Sequence, residues 1–395
     1  MSAGQSTRKQ QILAAASDLF RRRGFHNVSV ADITTAVDIT ASALYRHFRN
    51  KNDLLYSAVL SGVAPINEAG HCADSLHEVL VALAAASSDQ QGLSLLWLRE
   101  ARYLSDEQRN ELRGQISATP NRVSELISKQ RPELSKSDCD LLAFSVTAVL
   151  SSTTLHTMNL PRRRREALLL SFTERVAHTP LPSPESPKQY MHEVLAIPTS
   201  RREQLLTAAI KLFDERGYQS VNLDAIGDAA GRTGPNMYNY FDSKIDLLVT
   251  AVTRGVDRRA FNAKQAMARA TTPHDALRQL LDAQISFALE DSHLVGLMAS
   301  ELDELPEQSQ RICAQEYRDF QDLWVRVLDH VRPGLDEAEA KATVTATLVL
   351  VANGARVGRL RRQPALTEGL SRIGMAVLLD TSDLGVILGE SNTAV

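Results

Sequence analysis

Apolar residues recur along this chain at three- and four-residue steps, the spacing that gives a helix one buried face. Ile12, Leu13, Ala16, Leu19 and Phe20 form one such stripe, and Leu205, Leu206, Ala209, Leu212 and Phe213 form another. Gly24 and Gly217 follow them, and a glycine there ends a helix by accepting left-handed backbone. Each stripe leads into the same short elements. A second helix is predicted over 30–37 and over 223–230, capped by Ser29 or Asn222. Asp38 or Gly231 then makes a tight turn, since both residue types tolerate positive φ. A third helix starts after Thr40 or Thr233, each a good N-cap, and is predicted to run through 45–48 or 238–241. Two short helices joined by a tight turn can place the second in a DNA major groove, N-terminal residues first. No sustained period-two alternation appears, so the fold class reads as all-α.

The two stripes belong to an internal repeat. Residues 8–55 align with 201–248 without a gap at an offset of 193, and 19 of the 48 pairs are identical. A second echo sits at offset 201, with Arg131-Pro132-Glu133-Leu134 matching Arg332-Pro333-Gly334-Leu335. The period is far too long for a solenoid, so the chain reads as two domains of one kind, duplicated whole. Pro180, Pro182, Pro184, Pro187 and Pro198 mark a linker between them. The predicted division is 1–55, a first reading domain; 56–178, a first helical domain; 179–199, the linker; 200–248, a second reading domain; and 249–395, a second helical domain.

Within the helical parts, breaks are expected near Gly70, Ser87-Ser88, Ser105, Pro120, Pro132 and Pro161. Residues 141–160 and 340–360 are apolar nearly all round, as buried helices are.

Charge sharpens the picture. The whole chain carries 44 basic and 47 acidic residues, so any DNA-facing basic surface must be local. Residues 1–55 hold eight Lys/Arg against four Asp/Glu, or 8 − 4 = +4, whereas residues 199–248 hold six against seven, or 6 − 7 = −1. The first head is therefore expected to grip DNA harder. Three cysteines without a C-x-x-C pair argue against a disulfide framework and a zinc site. The polar first residues and the lack of a long apolar run point to a cytoplasmic protein without a membrane segment. With no Gly-rich phosphate loop, no metal-ligand spacing and no nucleophile–base arrangement, the sequence reads as no enzyme, with no metal and no cofactor.

The run from Asp32 through Thr40, Leu44-Tyr45-Arg46-His47-Phe48 and Lys51 to Asp53-Leu54-Leu55 resembles the tetracycline-repressor (TetR) family. So does the run from Ile226 through Thr233, Met237-Tyr238-Asn239-Tyr240-Phe241 and Lys244 to Asp246-Leu247-Leu248. The resemblance covers about 50 residues of each copy. It implies two tandem all-α units, each a helix-turn-helix domain followed by a helical effector-binding and dimerisation domain. It also implies double-stranded operator DNA and a small-molecule effector as partners. Thr40 and Thr233 would cap the reading helix and offer a hydroxyl to phosphate. Tyr45 and Tyr238 match the family's phosphate-contacting tyrosine, and Lys51 and Lys244 would face the DNA backbone from the next helix. Base readers would be Ala41, Ser42 and Arg46 with His47 nearby in the first copy, and Gly234, Pro235, Asn236 and Asn239 in the second. Ser29, Asn222, Arg232 and Tyr240 complete the expected DNA-binding set. Arg232 replaces Ile39, and so either bends to a phosphate or loosens the second head. Unlike reading helices imply an asymmetric operator.

Candidate effector-pocket residues are Trp97, Arg102, Tyr103 and His156 in the first half, and Glu301, Tyr317, Trp324 and Asn353 in the second; packed or surface roles compete for each. Arg162–Arg165 reads as a solvated helix start or as a seat for an anionic tail. In the resembled family the last two long helices form a four-helix dimer interface. The halves would then pair within one chain as a pseudo-dimer, or each chain would pair with another as a homodimer. The competing function is a ligand-binding or protein-interaction scaffold in which one or both reading units no longer bind DNA.

Overall fold

The computed structural model describes residues 3–89, 93–154, 160–182, 200–231 and 239–379. The described part of the first half holds α1 (Ala3–Arg23), α2 (Val30–Ala36), α3 (Ala41–Tyr45), α4 (Lys51–Gly70), α5 (Leu76–Asp89), α6 (Leu93–Glu100), α7 (Asp106–Gln130), α8 (Lys136–Ser151) and α9 (Arg162–His178). That of the second holds α10 (Arg201–Arg216), α11 (Leu223–Ala229), α12 (Lys244–Arg269), α13 (Pro273–Glu290), α14 (Ser292–Ser300), α15 (Glu307–Val331), α16 (Glu337–Arg356), α17 (Gly358–Arg361) and α18 (Leu366–Leu378). No strand occurs among the described residues, and the class is all-α as read from the sequence. Most of the linker, 183–199, and the second head's turn and reading helix, 232–238, lie outside them.

Local chemistry sets the helix ends. Ser29 and Asp32 form a reciprocal capping box at α2, and Ser105 with Gln108 and Ser135 with Asp138 repeat it at α7 and α8. Gly24 and Gly217 close α1 and α10 at φ 77° and 85°, where a Cβ would be strained. Asp38 and Gly231 hold the turn after the second helix at φ 50° and 80°. Two expectations fail. Pro120 lies inside α7, which runs on through it; the buried neighbours Thr119 and Val123 hold the helix in place despite the lost backbone donor. The third helix ends at Tyr45, so Arg46 and His47 sit in the turn that leads to Phe48.

The halves pack on each other through their last long helices. Buried side chains of α8, α9, α16 and α18 belong to one continuous apolar core that also takes in the second head. The first head keeps a core of its own, built on Ile12, Phe20, Ile33, Leu44 and Phe48 and closed by Leu96, Leu104 and Leu112. Gly369 on α18 lets Leu141 of α8 come close, since a Cβ there would meet its methyl at 2.7 Å. Arg164 of α9 pairs with Glu339 of α16 at 2.7 Å, and Arg175 donates to the Leu379 carbonyl across the same seam. Arg162 pairs with Glu166 and Asp89, so the basic run is a helix start tied by ion pairs.

The second echo of the repeat has a structural reason. Arg131 Nη1 donates to the Ala177 carbonyl at 3.1 Å, at the end of α9. Its counterpart Arg332 donates to the Leu378 carbonyl at 3.1 Å, at the end of α18. Both arginines satisfy carbonyls that a helix C-terminus leaves without partners.

Candidate nucleic-acid interface

The reading face of the first head is assembled on a buried anchor. Leu44 and Phe48 are fully buried, which fixes the roll of α3 and turns the residues between them outward. Thr40 caps α3 by accepting from the Ala43 N–H at 3.2 Å. Thr40, Ala41, Ser42, Tyr45, Arg46 and Arg49 are then all exposed on one side, with His47 half-buried beside them. Tyr45 is 50% exposed, which leaves its ring and hydroxyl open on this side. Arg46 and Arg49 have no carboxylate partner among the described residues, so their charge is available. Ser29 is exposed, but its hydroxyl serves the Asp32 cap, which holds the Asp32 carboxyl down to about 2.

Paired arginines brace the turn in both heads. Arg8 donates to the Val37 carbonyl at 3.3 Å, and Arg201 donates to the Ala230 carbonyl at 2.6 Å. Lys9 and Arg202, one residue on, lie over the Phe48 and Phe241 rings at 5.5 and 4.6 Å. Sequence reasoning missed these four, although the 193-residue offset aligns them.

Lys51 and Lys244 have another role than the one expected. The Lys51 ammonium donates to the Phe25 carbonyl and lies 4.1 Å from the Phe25 ring centre. That of Lys244 donates to the Tyr218 and Val221 carbonyls at 2.7 and 2.9 Å, and sits 4.1 Å from the Tyr218 ring centre. Both are half-buried, and desolvation pushes both below the ordinary lysine range. They pin the third-helix exit to the loop after the first helix, where the sequence reading had them face phosphate.

In the second head, Asn222 caps α11 by accepting from the Ala225 N–H at 2.8 Å, and Asn239 is exposed. Tyr240 is half-buried against the main core, a packing position and not the DNA-facing one expected. Arg232, Thr233, Gly234, Pro235, Asn236 and Tyr238 lie outside the described residues.

The heads meet the helical bodies at two related corners. Glu100 ends α6 and is buried, and hydrogen-bonds the Phe25 N–H just past Gly24. Its counterpart Glu301, past α14, accepts from the Tyr218 N–H just past Gly217 at 3.4 Å. Burial pushes both carboxyls up. The corners also bind each other: Arg102 pairs with Glu301, and Arg99 with Asp303. Tyr103 stacks on Phe25 at 5.7 Å and meets His26 edge-on at 4.2 Å, and burial pushes its hydroxyl up to about 12. Arg102, Tyr103 and Glu301, expected in a pocket, therefore form this junction. Trp97 is partly buried against the first head's core, and Trp324 is a fully buried core residue beside Phe320. Asn353 reaches Ser151 across the seam at 3.5 Å. Tyr317 lies by Arg259, whose guanidinium is 5.1 Å from its ring centre, and His156 is outside the described residues.

Comparison with known proteins agrees with the repeat. The family described as bacterial regulatory proteins, tetR family, matches twice, at residues 12–58 and 205–251. The HTH-type transcriptional activator FasR of Mycolicibacterium smegmatis is 37% identical over 92 residues, which are 23% of this chain and 42% of that protein. The chain thus spans less than half of that relative's length. The HTH-type transcriptional repressor KstR of Rhodococcus jostii is 28% identical over 184 residues, covering 46% of this chain and 84% of the repressor. A solved TetR-family regulator from Bordetella parapertussis aligns at 18% identity and TM-score 0.44, over 47% of this chain and 97% of its own. Two matched units, at the offset of the internal repeat, give this chain two domains in tandem that match the tetR family of bacterial regulatory proteins.

Proposed function

We propose that this chain is a sequence-specific DNA-binding transcription regulator in which one polypeptide supplies both reading heads of a pseudo-dimer. The observation that carries this is the seam of α8, α9, α16 and α18, which joins the halves through one apolar core. Two-fold operators need two heads about one helical turn, 34–36 Å, apart, and a single chain with two heads meets that need without a second copy. The domains divide at 55, 178, 199 and 248, with the reading set centred on Thr40, Ala41, Ser42, Tyr45, Arg46 and His47. Unlike heads imply unlike half-sites. Regulation is repression, relieved by a small apolar or amphipathic effector bound in a helical half, in the cytoplasm. The effector acts by favouring an arrangement of the heads that no longer matches the half-site spacing. The relatives include both an activator and repressors, and repression is the reading for this chain.

Light scattering on the protein with its own upstream promoter fragment tests the reading. One chain per fragment supports it; two chains per fragment overturn the pseudo-dimer. The acidic balance of the second head favours a second reading, in which that head is an interaction scaffold. A complex unchanged by Asn239→Ala selects the scaffold for the second head, and no complex with any promoter fragment at low salt extends it to both heads.

A further inference from the structure

One short stretch of the first half holds both heads. Residues 99–103 close α6 and lead into α7, and each head reaches them through the residue after its helix-ending glycine. In the first head that residue is Phe25. Glu100 accepts from its N–H, and Tyr103 stacks on its ring at 5.7 Å. Asn52, at the start of α4, donates to the Tyr103 carbonyl at 2.8 Å. In the second head it is Tyr218, the match of Phe25 at offset 193. Its N–H donates to Glu301 at 3.4 Å, and Glu301 pairs with Arg102. The approach is close: a Cβ on Gly217 would lie 2.5 Å from the Tyr103 hydroxyl and 2.8 Å from the Arg102 Nε.

These links extend to the helices that follow the two reading segments. Lys51 opens α4 and is bound to the Phe25 carbonyl, and Lys244 opens α12 and is bound to the Tyr218 carbonyl at 2.7 Å. A path of contacts therefore runs from α4 to α12 through Phe25, Tyr103, Arg102, Glu301 and Tyr218. Arg102 is its crossing point between the halves. One arm of its guanidinium meets Glu301, and the other donates to the Ser300 hydroxyl at 3.4 Å. The pair is buried, whereas the neighbouring Arg99–Asp303 pair leaves Asp303 49% exposed. A buried charge without its partner is costly, so arrangements of the heads that part Arg102 from Glu301 are disfavoured and one arrangement is selected. The second half offers no such hold in return, since Asp303 and Glu304 stand in register with Arg102 and Tyr103, and Ile245 with Asn52.

We propose that Arg102 is a positioning residue that fixes the separation of the two heads, and with it the half-site spacing that the chain accepts. This rests on the reading that one chain supplies both heads. It assigns the geometry of the operator to a residue too buried to meet DNA.

The test uses the full chain and its own upstream promoter fragment, with two base pairs inserted or removed at the centre of the footprint. At about 10 base pairs per turn, that change rotates one half-site by roughly 70° against the other. The parent is expected to bind the altered fragments about tenfold or more weaker than the natural one, the cost of misplaced base contacts. Arg102→Met frees the separation, so that ratio is expected to shrink to about threefold or less. A residue that merely stabilised the fold would weaken every fragment alike and leave the ratio at the parent's value, and that result overturns the role. Should Arg102→Met melt below the assay temperature, Arg102→Lys decides instead. It keeps the charge without the fork that spans Glu301 and Ser300, so its ratio is expected to fall clearly below the parent's. The parent's ratio in Arg102→Lys overturns the role, as does a parent indifferent to spacing. Light scattering on the same complexes separates the two readings. Two chains per fragment, or no complex at all, sinks the one-chain reading and this inference with it. One chain per fragment with an unchanged ratio in the variants sinks the role of Arg102 alone.

Discussion

Arg102 and Glu301 form an ion pair across the two halves with side chains only 11% and 2% exposed, and they do not occupy equivalent positions. The counterpart of Arg102 is Asp303, and that of Glu301 is Glu100. If two second halves met in this way, Asp303 would face Glu301, two carboxylates in a dry site. The pairing of unlike halves removes that repulsion and gives Asp303 to Arg99 instead. Charge at the corner thus favours a first half joined to a second.

The pair is expected to be coupled strongly. Removing one partner leaves the other buried and uncompensated, so Arg102→Met or Glu301→Gln alone should cost about 3 kcal/mol. The double variant should cost less than the sum by about 1–3 kcal/mol. Urea unfolding of the four proteins measures this. Strict additivity would mean that the corner contributes nothing to the joining of the halves.

The DNA-facing residues separate by salt. Arg46→Ala should weaken promoter binding by about 1–3 kcal/mol if it reads a base, and Tyr45→Phe by a smaller amount through one phosphate hydrogen bond. Lys51→Met is the contrast. Its ammonium is held by the Phe25 carbonyl and ring, so the variant should lower the first head's melting temperature and leave the salt slope of binding unchanged. A slope reduced by about one unit in Lys51→Met would restore the phosphate contact that the sequence suggested.

Much of this was legible in the chain. The heads were, because their caps and turns depend on single residues with local jobs: Ser29, Asp38, Thr40, Asn222 and the two helix-ending glycines. The doubled Arg-Pro marked a shared task even before the carbonyls it serves were visible. Lys51 misled because an ammonium at a helix start suits phosphate and a nearby carbonyl equally well, and only the loop geometry decides. Arg102 and Glu301 misled because a long charged side chain on a helical body suits a pocket as well as a junction. The signal lay in comparing the two copies, where Arg102 faces Asp303 and Tyr103 faces Glu304 in register.

Acid should loosen the first head through His26. Its ring lies against Tyr103, with Lys51 and Arg102 as cations nearby and Glu304 opposing them. Burial, and then the Lys51 charge, hold its pKa below the ordinary 6.5. A histidine depressed on folding stabilises fully above its unfolded value and loses that contribution as pH falls from there through the folded one. The first head should therefore melt lower at pH 5.5 than at pH 8, and His26→Gln should narrow the difference. An unchanged difference would assign the acid sensitivity to other groups.

Asp214 offers a last test, of how the second head is tied to the seam. Its carboxylate on α10 meets Arg356 of α16 at 2.9 Å and His293 of α14 at 2.8 Å. The first half has Arg21, Leu155 and Gly92 at the matching positions, so this three-helix link exists once. It passes over Gly296, where a Cβ would collide with the Arg356 guanidinium and the Asp214 carboxylate. Gly296→Ala should therefore push the pair apart without touching any DNA-facing residue. Alanine also favours a helix over glycine by about 1 kcal/mol, so a variant that merely relieved helix entropy would be more stable. Loss of the partly buried pair costs about 1–3 kcal/mol and outweighs that gain, so the variant should melt lower. Asp214→Asn in the same background then separates the causes. If the lost pair is the reason, the second change adds little; if Gly296→Ala acts by crowding α14 alone, the two costs add in full. An intact pair also couples the position of α10 to that of α16, so both variants should loosen promoter binding in step with stability lost from the second head.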